Sequence, residues 1–161
     1  MPRNNVSSAD NQQERLRTNV AWWITGFTDG EGCFSVSFIR NTTTKTGKQI
    51  FPEFVITQGS KSLEVLEAMQ KYFHCGSIIL NKRYDNHREH LYRYCVRAIP
   101  DLRTRIIPHF KKFPLKTSKK NDFKLFDKVI SKIAGKRHLS KKGWGDIEKL
   151  AAKMNRKKVR S

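Results

Sequence analysis

Glu31 is the acid whose setting suggests chemistry first. It stands in Gly30-Glu31-Gly32, just after the segment Asn19–Asp29, whose core Val20-Ala21-Trp22-Trp23-Ile24 is apolar all round and predicts a helix buried on every side. A carboxylate at a helix C-terminus lies beside unsatisfied carbonyls at the negative end of the dipole. With the Gly30 carbonyl next to it, such a place suits a hard divalent cation with oxygen ligands. Mg²⁺ takes one or two protein carboxylates and leaves its remaining positions to phosphate and water. Gly26 and Gly30 lie four apart, on one helical face, so a second backbone can approach there. A twin helix from a second chain, packed on Gly26, Gly30, Trp23 and Phe27, would explain the all-round apolarity and bring two Glu31 side chains together. Two close carboxylates repel until metal ions and phosphates balance them, and this is the arrangement for metal-assisted phosphodiester hydrolysis. The glycines are also expected to end the helix in the left-handed conformation.

A second group of residues could read bases. Alternation predicts strands over Cys33–Arg40, Lys48–Gln58, Ser77–Tyr84 and His90–Ala98. One face of each is apolar: Phe34, Val36 and Phe38; Ile50, Phe54 and Ile56; Ile78 and Leu80; Tyr92, Tyr94 and Val96. The other carries Cys33, Ser35, Ser37 and Ile39; Gln49, Phe51, Glu53 and Val55; Ser77, Ile79, Asn81 and Arg83; Arg93, Cys95 and Arg97, with Asn41 opening the first loop. Arginine pairs bidentately with guanine, and Gln or Asn with adenine, and a two-stranded ribbon fits the major groove. The plainer alternative is a solvated, salt-bridged sheet face. The charge balance favours nucleic acid: 33 Lys and Arg against 14 Asp and Glu give a net charge of +19 over 161 residues. Residues 111–161 alone hold 18 Lys and Arg against 4 Asp and Glu.

Other classes fall away. The longest apolar stretch, Val20–Phe27, is far short of the roughly 20 residues of a membrane span. Cys33, Cys75 and Cys95 are odd in number without CxxC spacing, which fits reduced thiols in an intracellular protein. His74, Cys75, His87, His90 and Cys95 match no standard zinc spacing, so zinc is not expected.

The elements that must position these groups follow from punctuation and periodicity. Met1–Thr18 is polar and carries Asp10 and Glu14, so it reads as a disordered arm, neither secretory signal nor transit peptide. Pro52 points to a bulge or edge in its strand. Ser60 is placed as N-cap of a helix with Leu63, Leu66, Met69 and Phe73 inward. Asp85-Asn86-His87 turns the chain between the third and fourth strands. Helices are expected from Pro100 to about Phe113, bent near Pro108, from Thr117 to Ala134 with Phe123, Phe126, Val129, Ile130 and Ile133 inward, and from Trp144 to Met154 on Ile147, Leu150, Ala151 and Met154. Residues 156–161 form a basic tail. The order α-β-β-α-β-β-α-α-α describes one α+β domain over 19–155, an antiparallel sheet with helices on one face and extra C-terminal helices.

Ile24-Thr25-Gly26-Phe27-Thr28-Asp29-Gly30-Glu31-Gly32 resembles the LAGLIDADG motif of homing endonucleases. Gly26, Asp29, Gly30, Glu31 and Gly32 stand where that family has them, whereas Ile24, Thr25 and Thr28 depart at apolar or small positions. Phe54-Val55-Ile56-Thr57-Gln58 before a helix, Pro114-Leu115-Lys116-Thr117-Ser118-Lys119-Lys120 before Asp122-Phe123, and Leu150-Ala151-Ala152-Lys153-Met154-Asn155 agree as well. The likeness covers about residues 20–155, and one motif instead of two resembles the homodimeric branch.

The resemblance implies a saddle-shaped sheet over a long pseudo-palindromic DNA duplex, with both strands cut to leave 3′ overhangs. It implies intron homing, and Mg²⁺ as cofactor with Mn²⁺ able to substitute. It gives Glu31 the metal and leaves Asp29 a structural part. Gln58 would orient water or phosphate. A lysine opening the helix after Pro114, Lys119 or else Lys116, would stabilise transition-state charge, with Lys61 as a further basic contributor. Two other readings on the same fold are an intron RNA-splicing maturase and a non-cleaving DNA-binding regulator. The compartment would be a mitochondrial or chloroplast matrix, or a prokaryotic cytoplasm.

Overall fold

The computed structural model describes residues 8–82 and 89–155. Arg83, the Asp85-Asn86-His87 turn and the basic tail at 156–161 therefore lie outside the described residues. Helix α1 spans Ser8–Glu31, then β1 Gly32–Arg40, β2 Lys48–Gly59, α2 Leu63–Phe73, β3 Ser77–Asn81 and β4 Leu91–Val96. The helical run over 99–112 comprises α3 (Ile99–Asp101), a π turn (Leu102–Ile106) and α4 (Ile107–Lys112). Helices α5 (Lys119–Ala134) and α6 (Lys141–Asn155) follow.

The expected α+β order holds. The four strands form one antiparallel sheet in the order β1-β2-β4-β3. Helices cover the face carrying Phe34, Val36, Phe54, Ile56, Tyr94 and Val96, which are all buried. Phe34 lies at the centre, with ring centroids 5.1 Å from Phe54, 5.4 Å from Phe110 and 5.3 Å from both Phe123 and Phe126. Pro52 pairs only with Val36 of β1, because the pairing of β2 with β4 begins at Phe54. Its missing N–H therefore falls where β2 has a neighbour on one side. Leu80, expected inward, is 38% exposed on the edge strand β3.

Three local expectations are corrected. Helix α1 begins at Ser8, so residues 8–18 are helical and not a disordered arm. Gln12, Gln13, Glu14, Arg15, Leu16 and Arg17 are good helix formers, and extending an existing helix is far easier than nucleating one. Neither Gly30 nor Gly32 has positive φ. The helix runs directly into β1, and Gly32 is needed for space: a Cβ there would lie 2.6 Å from Cγ2 of Thr28 and 2.9 Å from its carbonyl oxygen. Ser60 opens a 3₁₀ turn and does not cap α2; its hydroxyl donates to Glu89 instead.

The inner face of α1, Ala21, Ile24, Thr25 and Thr28, is buried. Thr25 is held by a directional chain of hydrogen bonds. Its hydroxyl donates to the Phe113 carbonyl at 3.0 Å and so accepts from Nε2 of His109 at 3.1 Å. Burial pushes the His109 pKa down to about 4 from the ordinary 6.5, so near neutrality the imidazole is neutral. Its Nδ1 then accepts from the Tyr72 hydroxyl at 3.1 Å. A histidine whose folded pKa lies below its unfolded value stabilises the fold above the unfolded value and loses that contribution as pH falls. Stability should therefore drop between pH 6.5 and 4 by about 3 kcal/mol, at ~1.4 kcal/mol per pH unit. Urea unfolding across that window checks it. A His109→Gln variant should be less stable near neutrality but lack this slope.

Candidate active site and nucleic-acid interface

Glu31 is the last residue of α1 and is exposed. Its surroundings are fixed by two neighbours from beyond Pro114. Asp29 accepts the backbone N–H of Lys116 at 2.7 Å, that of Thr117 at 3.2 Å, and the Thr117 hydroxyl at 2.7 Å. Burial alone would raise its pKa, yet these hydrogen bonds and the Lys119 charge hold it below the ordinary carboxylate value. Asp29 thus ties the end of α1 to the segment that leads into α5. From the first turn of α5, the Lys119 ammonium donates to the carbonyls of Thr28 at 2.7 Å and Asp29 at 2.9 Å. A cation on the last carbonyls of a helix satisfies orphan acceptors and opposes the dipole. Burial lowers the Lys119 pKa, while the acidic groups of Cys33, Asp29, Glu31 and Asp122 push it back up.

The two lysines are thereby separated in space. Lys119 sits at the end of α1 with Glu31, whereas the Lys116 ammonium lies 5.7 Å from the centre of the Trp22 ring. Gln58 lies beyond Ile56, the partner of Gly32, on the same face of β2 as Ile56 and Phe54, where α1 meets β1. Lys61 is anchored through its backbone N–H to the Glu89 carboxylate at 2.9 Å, and the Ser60 hydroxyl donates to the same oxygen at 3.2 Å. Among the described residues no three His, Cys, Asp or Glu side chains are grouped to hold a metal ion. The donor set at the end of α1, the Glu31 carboxylate with the Gly30 carbonyl, is all oxygen and fits a cation that completes its shell elsewhere.

The outer face of α1 lies open. Val20, Trp22 and Trp23 are 45%, 42% and 44% exposed. The Trp23 and Phe27 rings lie 5.6 Å apart, and a Cβ on Gly26 or Gly30 would meet nothing within 4 Å. The expectation of burial on every side is not met within one chain.

On the sheet face away from the helices, the expected row is present but partly self-satisfied. Ile39 and Ile79 are exposed, as are Ser37 and Asn81, while Ser35, Phe51 and Val55 are half-buried. The Asn41 amide donates to Gln49 at 2.9 Å, and the Ser37 hydroxyl to the Phe51 carbonyl at 3.4 Å. Two assignments are corrected. Cys95 is 3% exposed and so cannot meet a ligand, and Glu53 is 6% exposed with both carboxylate oxygens taken by Arg93 and Arg97. Here the plainer picture of a salt-bridged face holds locally. The sequence signal was available in the register, since Glu53 is the residue before Phe54, whose partner Val96 precedes Arg97.

An α1 that ends on an exposed acid at the sheet, braced by Asp29 and Lys119 in an α+β fold with one four-stranded antiparallel sheet, is the arrangement that the comparisons with known proteins match. The family described as LAGLIDADG endonuclease matches residues 24–130, and the chain belongs to it. A probable intron-encoded endonuclease 3 of Neurospora crassa is 34% identical over 141 residues, covering 87% of this chain and 25% of that protein. The crystal structure of a homing endonuclease, I-TnaI, is 39% identical with a TM-score of 0.74, covering 84% of this chain and 87% of that one. The meganuclease I-SmaMI bound to uncleaveable DNA is 28% identical with a TM-score of 0.78, covering 84% of this chain and 45% of that one. The chain spans about a quarter of the length of the first three curated relatives it matches. Among the described residues no helix is long and apolar enough to cross a membrane.

Proposed function

We propose that this chain is a site-specific endonuclease for double-stranded DNA that acts as a homodimer, cutting both strands of a long pseudo-palindromic site. The observation that carries this reading is the exposed Glu31 carboxylate at the end of α1, next to a Lys119 ammonium anchored on the carbonyls of Thr28 and Asp29. Relatives named as intron-encoded endonucleases support a role in intron homing. The match to 45% of I-SmaMI supports a working unit of two such chains.

Glu31 and the Gly30 carbonyl would hold Mg²⁺, or Mn²⁺ in its place; when bound, such an ion activates water and stabilises the leaving oxygen. The protein's own part follows from donor counts. The Lys119 ammonium has three N–H donors, and two are committed to α1. The third is left for a phosphate oxygen, and the anchoring holds the charge where negative charge develops. Asp29 fixes the backbone of Lys116 and Thr117 and hence the start of α5. Gln58 supplies an amide able to orient water or phosphate at the end of β2. Two-fold symmetry of the dimer would be mirrored in the half-sites of the DNA, and a stagger of the two cuts would leave 3′ overhangs.

The lysines make a discriminating pair. Lys119→Met should lower single-turnover cleavage by roughly 10²–10³ while duplex affinity in Ca²⁺ changes little. Lys116→Met should leave the cleavage rate within a few-fold of wild type. The reverse outcome would make Lys116 the working lysine. The function itself is tested by cleavage of a randomised duplex library in Mg²⁺, with Ca²⁺ as control. Recovery of one pseudo-palindromic site is the expected result. Specific binding without cutting would mark a regulator, and binding only to structured intron RNA a maturase.

A further inference from the structure

Among the described strand residues of the outward sheet face one is an acid, Glu53, and its placement is unlike that of a surface charge. The Glu53 side chain is only 8% exposed, yet it pairs with two arginine side chains that are 34% and 39% exposed, those of Arg93 and Arg97. Each carboxylate oxygen takes one arginine: Oε1 accepts from Nη2 of Arg93 at 2.7 Å, and Oε2 from Nε of Arg97 at 2.5 Å. The Arg97 guanidinium also stands 5.1 Å from the centre of the Phe51 ring. Cys95 of β4, between the two arginines in sequence and paired with Val55 of β2, is itself buried. A carboxylate this enclosed persists only when fully paired, and it removes rotamer freedom from two long side chains that would otherwise wave in solvent.

What is held matters less than what is left. Arg97 is gripped through Nε, which leaves the end-on edge of the guanidinium, one N–H from each Nη, uncommitted to the carboxylate. Two parallel N–H donors suit a bidentate acceptor pair, and guanine O6 and N7 in the major groove are that pair. One carboxylate against two guanidiniums leaves the trio with a single net positive charge, so its attraction to phosphate is halved while its geometry is fixed. Plain charge neutralisation would be better served without Glu53.

Resting on the reading of this chain as a DNA endonuclease, we propose that Glu53 is a positioning residue for sequence specificity: it holds Arg97, with Arg93 beside it, as a preset fork that selects guanine in each half-site.

The test compares DNA selection and binding by the full chain in Ca²⁺. Wild type should select a consensus with a fixed guanine in each half-site. In Glu53→Gln that preference should fall by roughly tenfold or more, the scale of one bidentate contact. Affinity for unrelated duplex should meanwhile rise, and the slope of log affinity against log salt should steepen by about 0.9, because one more net positive charge meets phosphate. Arg97→Lys keeps the charge without the fork. It should lose the same guanine preference at an unchanged salt slope, and it stands as the second variant should Glu53→Gln fold poorly. Retained guanine preference in either variant, once folded, would overturn the proposal. So would equal weakening on every sequence, which marks a merely structural ion pair. If wild type binds no duplex at all, the endonuclease reading has failed and this inference falls with it.

Discussion

A Glu31→Gln chain should bind its DNA site as well as wild type and not cut it. The exchange is isosteric at an exposed helix end. It removes a negative charge from the negative end of the helix dipole, so the fold should gain a few tenths of a kcal/mol, about 0.3 or more, and not lose stability. Binding should hold or tighten slightly, since a carboxylate facing phosphate is removed from a chain already at +19. Cleavage should fall by at least roughly 10²–10³, the scale on which single preorganised transition-state contacts are lost, because the cation would lose its one charged protein ligand from this chain. The loss has a second part. Glu31 is among the acids that keep the proton on the partly buried Lys119, so its neutralisation also weakens the hold on that ammonium's charge. Single-turnover cleavage in Mg²⁺ and Mn²⁺, with binding measured in Ca²⁺, separates these effects. Near wild-type cutting by the variant would refute the metal assignment.

How much of this was legible beforehand differs by element, for physical reasons. The strands were read within a residue or two over Cys33–Arg40 and Lys48–Gln58 because alternation with one buried face has a strict period of two. The motif around Glu31 was legible because glycines and an acid at the end of an apolar helix are rare in combination. The start of α1 was not: polar good helix formers carry no periodic signal, and only the nucleated helix downstream makes their conformation favourable. The cap on α1 was equally invisible. Lys119 and the carbonyl of Thr28 are far apart in the chain, and only the fold brings them to 2.7 Å. The Thr25–His109–Tyr72 chain escaped for the same reason, as no local pattern links α1 to α4 and α2. On the sheet face, residue types gave the correct row but not its internal ion pairs. Which arginines Glu53 engages depends on cross-strand register, and there pairing with neighbours competes with pairing to a ligand.

The open face of α1 carries the other large expected effect. Gly26 is in a helix, and a Cβ on it would meet nothing within 4 Å of the single chain. For an isolated chain, replacing it should therefore be favourable, since glycine in a helix costs about 0.5–1 kcal/mol relative to alanine. In the proposed dimer the same position lies where two backbones approach, flanked by Trp23 and Phe27. There a leucine must push the helices apart. Overpacking costs about 1–3 kcal/mol per site, and two-fold symmetry applies it twice, giving about 2–6 kcal/mol. Gly26→Leu should thus raise the dimer dissociation constant by roughly 30- to 10⁴-fold while the monomer keeps its secondary structure. Sedimentation should show monomers at concentrations where wild type is dimeric, and cutting of both strands should disappear with the dimer. Gly26→Ala should fall between, because a methyl group demands less separation than an isobutyl group. The opposite signs for monomer and dimer give the test its force: a variant that merely misfolds would lose helix content and stability together. A Gly26→Leu chain that stays dimeric would place the subunit contact elsewhere, and would leave the exposed Trp23 without the role assigned to it.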